Sequence, residues 1–194
     1  MADAADFEEG DVLVVSHKVV SKAEGRIVRG EKLDVVLREA RRIVRRRGDL
    51  VIAETAHGFV CASAGVDASN APEAGALVLL PVDPDASAAR LHERLGVAVI
   101  VSDSFGRPWR LGTTDVAIGV AGLAPLLDLR GQTDATGYEL HATVIAVADE
   151  IASAAELVKG KMQGVPAAIV RGLSVGGNGT ARELVMPPER DLFR

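Results

Sequence analysis

Short hydrophobic runs, separated by polar and glycine-containing segments, dominate the pattern of this chain. Runs of this length that are bounded by turn residues are typical of buried strands. The pattern predicts strands over residues 11–16, 50–54, 76–81, 97–101, 116–122 and 167–172.

Three other segments repeat their apolar residues at helical spacing. The clearest predicts an amphipathic helix over 31–47 that stops at Gly48, and a second helix is expected to be capped by Asp85 or Ser87 and to end at Gly96. A third, rich in alanine, is predicted over 140–158 and to be followed by a mobile basic turn. Because strands and helices alternate, we expect an α/β (mixed α+β) fold.

The segment 100–112 combines a strand end with unusual chemistry. The run 97–101 has the composition of a strand buried on both faces, and ligands of α/β proteins gather where such strands end. Asp103 and Ser104 come one residue after it, and the loop beyond them carries the candidate substrate-binding residues Arg107, Trp109 and Arg110. The sequence therefore predicts a site here.

Composition and charge exclude several classes of protein. A hydrophobic share of 48% and a charged share of 25% are those of a globular protein, and a net charge of −5 argues against broad binding of nucleic acid or anionic membranes. The five arginines within 41–47 are interpreted as the solvated end of the first helix. Cys61 is the only cysteine, which excludes an internal disulfide and fits a reducing cytoplasm. The acidic amino terminus lacks the features of a signal peptide, and no apolar run is long enough to span a bilayer.

A glycine-rich loop after the second predicted strand carries oxygen-bearing side chains. Asp67 is a candidate ligand for Mg²⁺ or Mn²⁺ and Asn70 a candidate polar neighbour, although composition alone slightly favours an Asx-type turn in which these side chains bond their own backbone. Two bare carboxylates about 4 Å apart repel by roughly 4 kcal/mol at an effective dielectric near 20, so a pairing of Asp67 with Asp103 requires a cation. His57 and Cys61 are interpreted as structural residues.

Several long segments resemble one enzyme family. They are SHKVVSKAEGR (16–26), HGFVCASAGVDASN (57–70), LLPVDPDASA (79–88), SDSFGRPWRLGTTDVAIGVAGLAPLLDLRGQTDATG (102–137), IASAAELVKGK (151–161), GVPAAIVRG (164–172) and ARELVMPPERDLFR (181–194). All are similar to coenzyme F420-0:L-glutamate ligases, in particular to the ligase portion of the bacterial two-domain enzymes. The resemblance covers most of the chain.

The resemblance implies a GTP-dependent ligase that adds L-glutamate to coenzyme F420-0 and extends a γ-linked tail. It also implies Mg²⁺ or Mn²⁺, K⁺, a family-specific mixed-sheet fold and an intertwined homodimer. The metal site is expected at Asp67, Asp103, Ser104 and Gln163, with Asp67, Asp103 and Lys22 as catalytic residues. GTP contacts are expected at His17, Lys18, Lys22, Asn70, Gly160, Lys161, Gln163 and Val165.

The chain also departs from the family pattern. Ten residues precede Asp11 where the family has a longer nucleotide-contacting segment, and the chain is shorter between Arg26 and Lys32 and between Leu95 and Val97. We expect one ligase domain over 1–194 without the bacterial reductase domain. Two alternatives stay open, namely a non-catalytic module that binds metal and deazaflavin, and a nucleotide phosphatase.

Overall fold

The computed structural model describes residues 6–192. Its strands are β1 (Val12–Ser16), β2 (Ile27–Arg29), β3 (Ala40–Arg47), β4 (Leu50–Thr55), β5 (Val60–Ala62), β6 (Ala76–Val78), β7 (Ala98–Arg107), β8 (Arg110–Ala121), β9 (Leu127–Asp128), β10 (Val144–Ile145) and β11 (Ala167–Val170). Its α-helices are α1 (His17–Ala23), α2 (Lys32–Glu39), α3 (Pro84–Leu95) and α4 (Val147–Lys159), with short 3₁₀ turns at Ser63–Gly65, Ala181–Leu184 and Pro188–Arg190.

A four-stranded mixed sheet with the order β11-β1-β7-β8 forms the centre. β1 and β7 are parallel, whereas β11 and β8 pair antiparallel on either side. Ser16 pairs with Ser102, so β1 reaches its carboxyl end beside the middle of β7. At that level the chain leaves β1 and enters α1, while β7 continues into a long hairpin with β8.

Both faces of this sheet are buried because side chains alternate along its strands. Val12 and Val14 of β1 pack with α4, and Leu13 and Val15 pack on the opposite face with residues of α1 and α3. β7 contributes to both sides in the same way, with Val99 and Ile100 fully buried. The expectation of a strand buried on both faces is therefore confirmed.

A second unit of sheet structure lies beside the central one. β3, β4 and β5 form a three-stranded sheet, and β2 pairs with β6. A third apolar cluster joins α2 to β4 and β6, including Val35, Val36, Val51 and Leu77. This cluster supports the loop that carries Asp67, which bridges to Val78 of β6.

The predicted helix over 31–47 is wrong in its second half. The helix ends at Glu39, and Ala40–Arg47 is the edge strand β3. Arg42 of β3 donates to the carboxylate of Glu54 on β4 from Nε and Nη2, at 3.1 and 3.0 Å. Gly48, expected to end a helix, lies at φ 61° in the turn between these strands. Beyond Glu39, strand pairing with β4 thus overrides the helical spacing of the apolar residues.

Other boundaries also differ from the predictions. Strand 97–101 continues as β7 to Arg107, helix 140–158 begins only at Val147, and strand 76–81 is reduced to β6. α3 is capped by Asp83, whose carboxylate accepts from the backbone N–H of Ala86 at 3.0 Å. Gly96 ends α3 in the left-handed conformation, as expected.

The architecture confirms a mixed α/β class, with separate sheets and helices packed on both faces of the central one. Among residues 6–192, no helix has the length and apolar character that crossing a bilayer requires.

Candidate active site

A cleft of about 460 Å³ opens where β1 ends beside β7. It brings together predicted residues from four separate parts of the chain, and these are Lys18, Lys22, Asn70, Asp103, Ser104, Gly160, Lys161 and Val165. Ser102, Asp115, Glu156 and Lys159 also line it. The cleft therefore carries side chains of both signs of charge.

The first two residues of α1 each contact one of the predicted metal-binding aspartates. His17 is buried and places Nε2 3.3 Å from Oδ1 of Asp103, outside hydrogen-bonding geometry, so this nitrogen has no hydrogen-bond partner among the described residues. Its Nδ1 lies 3.2 Å from Oγ of Ser21. Lys18 places Nζ 2.6 Å from Oδ2 of Asp67. One turn of helix therefore lies against both carboxylates.

Asp67 forms the Asx-type turn that the sequence left open as an alternative. Its carboxylate accepts from the backbone N–H and the hydroxyl of Ser69, at 2.7 and 2.9 Å. Burial raises the pKa of Asp67, but the hydrogen bonds from Lys18 and Ser69 outweigh it and lower the pKa to about 2. The side chain is thus anionic at neutral pH, and the turn does not exclude a ligand role.

The loops that flank the cleft approach each other at Asn70. Its side-chain amide donates to the backbone carbonyl of Lys161 at 3.5 Å, and its own backbone adopts φ 53°. Gln163 turns back on its own loop, where Oε1 accepts from the backbone N–H of Met162 at 3.1 Å. The structure therefore brings Asn70 and Lys161 to the cleft, whereas the side chain of Gln163 faces its own segment.

A buried polar network lies beneath Asp103 and was missed in the sequence. Asp115 accepts from the hydroxyls of Ser102 and Ser104 at 2.8 and 2.6 Å and pairs with Nζ of Lys159 at 2.8 Å. Burial raises the pKa of Asp115, but the hydrogen bonds from Lys159 and Ser104 prevail and hold it below the ordinary value. Lys159 was expected in a mobile turn, but it is the buried last residue of α4.

Sequence signals for both residues existed. Asp115 is a carboxylate immediately before the apolar run 116–121, and Lys159 continues the buried helical stripe of Ala148, Ala152 and Ala155. A charged residue at such a position is buried with a partner, which predicts an ion pair.

The oxygen donors of the cleft fit a hard divalent cation that also binds substrate phosphates. No group of three or more His, Cys, Asp or Glu residues suited to a metal was found within residues 6–192. Mg²⁺ typically takes only one or two protein carboxylates and completes its shell with phosphate oxygens and water. Asp103 and Ser104 line the cleft, and Asp67 lies at its margin with Lys18. Beside Asp103, the buried Nε2 of His17 has no hydrogen-bond partner among the described residues, so one polar atom at this site still has a hydrogen bond to make.

The segment after Ser104 is a hairpin and not the irregular loop that was expected. Arg107 pairs with Arg110 across the turn, and Nη2 of Arg107 donates to the carbonyl of Leu111 at 2.9 Å. Trp109 is 80% exposed at φ 56°. None of the predicted substrate-binding residues Arg107, Trp109 and Arg110 is among the residues that line the cleft within the described chain.

Two interpretations as structural residues agree with the geometry. Nε2 of His57 lies 2.9 Å from the carbonyl oxygen of Pro81, and its ring stacks on Phe59. Cys61 is buried, and burial, with the charge of Asp103 acting in the same direction, raises the pKa of its thiol to about 12. The thiol is therefore protonated and unreactive at neutral pH.

Comparison with known proteins shows which family this chain is similar to. The model of the family F420-0:Gamma-glutamyl ligase matches residues 30–172. A protein of Methanopyrus kandleri is 43% identical in an alignment of length 226 that covers 100% of this chain and 89% of that protein. Proteins of Methanothermobacter thermautotrophicus and Methanocaldococcus jannaschii are 42% and 39% identical, each covering 97% of this chain and 86% of their own length. All three are named coenzyme F420:L-glutamate ligase, which supports an enzyme that forms carbon–nitrogen bonds. The chain belongs to the F420-0:gamma-glutamyl ligase family.

Proposed function

We propose that this chain catalyses the GTP-dependent addition of L-glutamate to coenzyme F420-0 and extends the product into a γ-linked polyglutamate tail. The observation that carries the proposal is the cleft at the end of β1, which gathers four lysines, an asparagine and two aspartates from distant segments in a chain of this family. Cations of this kind suit the phosphates of a nucleotide, and carboxylates suit a divalent cation.

The reaction needs an activated carboxylate, because a carboxylate ion is a poor acyl donor. Transfer of the γ-phosphoryl group of GTP to the acceptor carboxylate forms an acyl phosphate and GDP. The amino group of L-glutamate then attacks the carbonyl carbon, the carbon–nitrogen bond forms, and inorganic phosphate leaves with the electrons of the broken carbon–oxygen bond, while the amine loses a proton.

The residues of the cleft suit separate tasks in this sequence. Lys18 and Lys22 extend from α1 into the cleft, where their charge would hold nucleotide phosphates together with Asn70. The turn at 160–165 also lines the cleft and is proposed as a further nucleotide contact, with Gly160, Lys161, Gln163 and Val165 as its members. Mg²⁺ or Mn²⁺, held by Asp67, Asp103 and Ser104, would neutralise charge on the transferring phosphoryl group.

Arg107, Trp109 and Arg110 are proposed to contact the far part of the acceptor. Arg107 lies three residues beyond Ser104 on the same strand, a distance of about 10 Å in extended backbone. A guanidinium at that distance would suit a phosphate or carboxylate of a long acceptor, and the ring of Trp109 would suit stacking on its deazaflavin. Gln163 could join the metal only if its loop rearranged.

The proposal also includes K⁺ dependence, a homodimer and a cytoplasmic location, which come from the resemblance. A non-catalytic module that binds metal and deazaflavin is not favoured, because the relatives of this chain are named as ligases. A nucleotide phosphatase would release phosphate from GTP without glutamate or acceptor.

The test is mass spectrometry of coenzyme F420-0 incubated with the protein, GTP, Mn²⁺ and L-glutamate. We expect products heavier by one or more glutamate residues, formed only when GTP is present. Asp103→Asn should abolish this addition without unfolding the protein. Asp128→Asn, a matched change at an exposed aspartate paired with Arg130, should leave it intact. Full turnover by Asp103→Asn would refute the metal role of Asp103, and phosphate release without glutamate would favour the phosphatase.

A further inference from the structure

The buried network beneath the cleft determines the direction of one hydroxyl group. Oδ1 of Asp115 accepts from Oγ of Ser104 at 2.6 Å. Oδ2 of the same carboxylate accepts from Oγ of Ser102 and from Nζ of Lys159, both at 2.8 Å. Nζ of Lys159 also donates to Oγ of Ser102 at 2.7 Å. Both carboxylate oxygens therefore accept hydrogen bonds, and neither carries a proton that it could donate.

A serine hydroxyl has one proton and two lone pairs. Because an ionised carboxylate only accepts hydrogen bonds, the proton of Ser104 must point at Asp115. The lone pairs of Ser104 are then left for other partners, and Ser104 lines the cleft next to Asp103. Towards the cleft, Ser104 consequently offers the lone pairs of its oxygen and acts as an oxygen ligand, not as a hydrogen-bond donor.

Asp115 is itself fixed on several sides. Ser104 and Asp115 are register partners across β7 and β8. The backbone N–H of Asp115 donates to Oε2 of Glu156 at 2.9 Å, and its carbonyl accepts from Oγ of Ser153 at 2.8 Å. The side chains of Asp115 and Lys159 are only 8% and 4% exposed. Strand pairing and α4 therefore hold the carboxylate in one position.

We infer that Asp115 is a positioning residue that turns the hydroxyl of Ser104 into a fixed oxygen ligand for the divalent cation of the ligase reaction. The inference rests on the proposed function, which places Mg²⁺ or Mn²⁺ at Asp103 and Ser104. Lys159 supports this role because its positive charge compensates the buried negative charge of Asp115. Partners that orient a metal ligand in this way typically change metal affinity about 10- to 100-fold when they are lost.

The test is a double-mutant cycle on Mn²⁺ binding, with Asp115→Asn, Ser104→Ala and the double variant compared with the wild type. In D115N the amide can donate to Ser104 and occupy a lone pair. Free Mn²⁺ is measured by electron paramagnetic resonance at saturating GDP, against GDP without protein. We expect D115N and S104A each to weaken Mn²⁺ binding about tenfold, and the double variant to bind no more weakly than either single variant. Ser104→Thr, which keeps the hydroxyl, should restore binding.

Independent losses that multiply in the double variant would overturn the inference, as would unchanged binding in either single variant. If D115N does not fold by circular dichroism, Asp115→Asn combined with Lys159→Gln removes both charges together and takes its place in the cycle. If the wild type adds glutamate and binds Mn²⁺, and D115N binds Mn²⁺ equally well, only the role of Asp115 is contradicted. A wild type that neither binds Mn²⁺ nor adds glutamate contradicts the proposed function as well.

Discussion

Replacement of Lys159 by Met tests whether the buried ion pair stabilises the fold. The change removes the cation and keeps a long, unbranched side chain at the end of α4. Asp115 would then keep its hydrogen bonds from Ser102 and Ser104 but lose Lys159, its cationic partner. A buried carboxylate without a compensating charge is expected to destabilise the folded state.

The size of the effect follows from the geometry. At the 2.8 Å separation of Nζ and Oδ2 and an effective dielectric near 20, the Coulomb attraction is about 6 kcal/mol. Relief of the desolvation of Lys159 offsets part of this loss, and removal of one partner of a buried pair typically costs about 3–5 kcal/mol. Because the two serine hydroxyls still solvate Asp115, we expect a loss of about 3 kcal/mol in the free energy of unfolding.

Urea denaturation at several pH values measures this loss. In the wild type the pKa of Asp115 lies below its ordinary value, so its stabilising contribution is complete at neutral pH and is lost as the pH falls below about 4. The gap between wild type and Lys159→Met should therefore narrow towards acid pH. Arg29→Met, which removes an exposed cation from its pair with Glu73, should leave the free energy of unfolding within the error of the measurement.

Two results would refute this reasoning. A loss below about 1 kcal/mol at neutral pH would mean that the pair is no stronger than a surface ion pair. A gap that stays constant from neutral to acid pH would mean that Lys159→Met acts through packing and not through the charge of Asp115.

Three further outcomes are expected. Lys18→Met should raise the pKa of Asp67 from about 2 towards its ordinary value, as measured by NMR titration of the carboxyl, and a pKa that stays at about 2 would show that Lys18 is not the cause. Gly119→Ala should give a strongly destabilised or insoluble protein in thermal denaturation, because the added Cβ would lie 2.2 Å from the carbonyl oxygen of the first residue of α3. Gly106→Ala, which has open space around the added Cβ, is the control. Equal melting temperatures of the two variants would contradict this prediction. Trp109→Ala should raise the KM for coenzyme F420-0 in the glutamate-addition assay and leave that for GTP unchanged, and a change confined to GTP would remove Trp109 from the acceptor site.

The central sheet could be predicted from the sequence because burial on both faces leaves an uninterrupted apolar run. Residues 11–16, 97–101 and 167–172 all contribute to strands of that sheet, near the predicted boundaries. The helical prediction beyond Glu39 failed for a different reason. Its spacing is local, whereas the strand that replaces it depends on Leu50–Thr55, which pairs with it through the backbone.

The candidate site could likewise be predicted from the sequence only in part. Asp103 could be singled out because it is the first charged residue after the apolar run 97–101, and Asp67 because its loop concentrates oxygen-bearing side chains. Asp115 lies just outside the predicted strand 116–122, and Lys159 falls in the basic turn that is predicted to follow the helix 140–158. Their partnership depends on α4 packing against β8, and tertiary contacts of this kind leave only the weak signal of a charge at an otherwise apolar position.

The order of strands in the central sheet has a consequence for how the protein acquires its cleft during folding. β1, β7 and β11 come from near the beginning, the middle and the end of the described chain, and the two central ones meet in parallel. Closing such large loops carries an entropic cost before any contact rewards it, so these pairings form slowly and together. A nascent chain that ends before β7 holds Lys18 and its partner Asp67 but lacks Asp103, Ser104 and the turn at 160–165. The cleft therefore arises only when most of the chain is present.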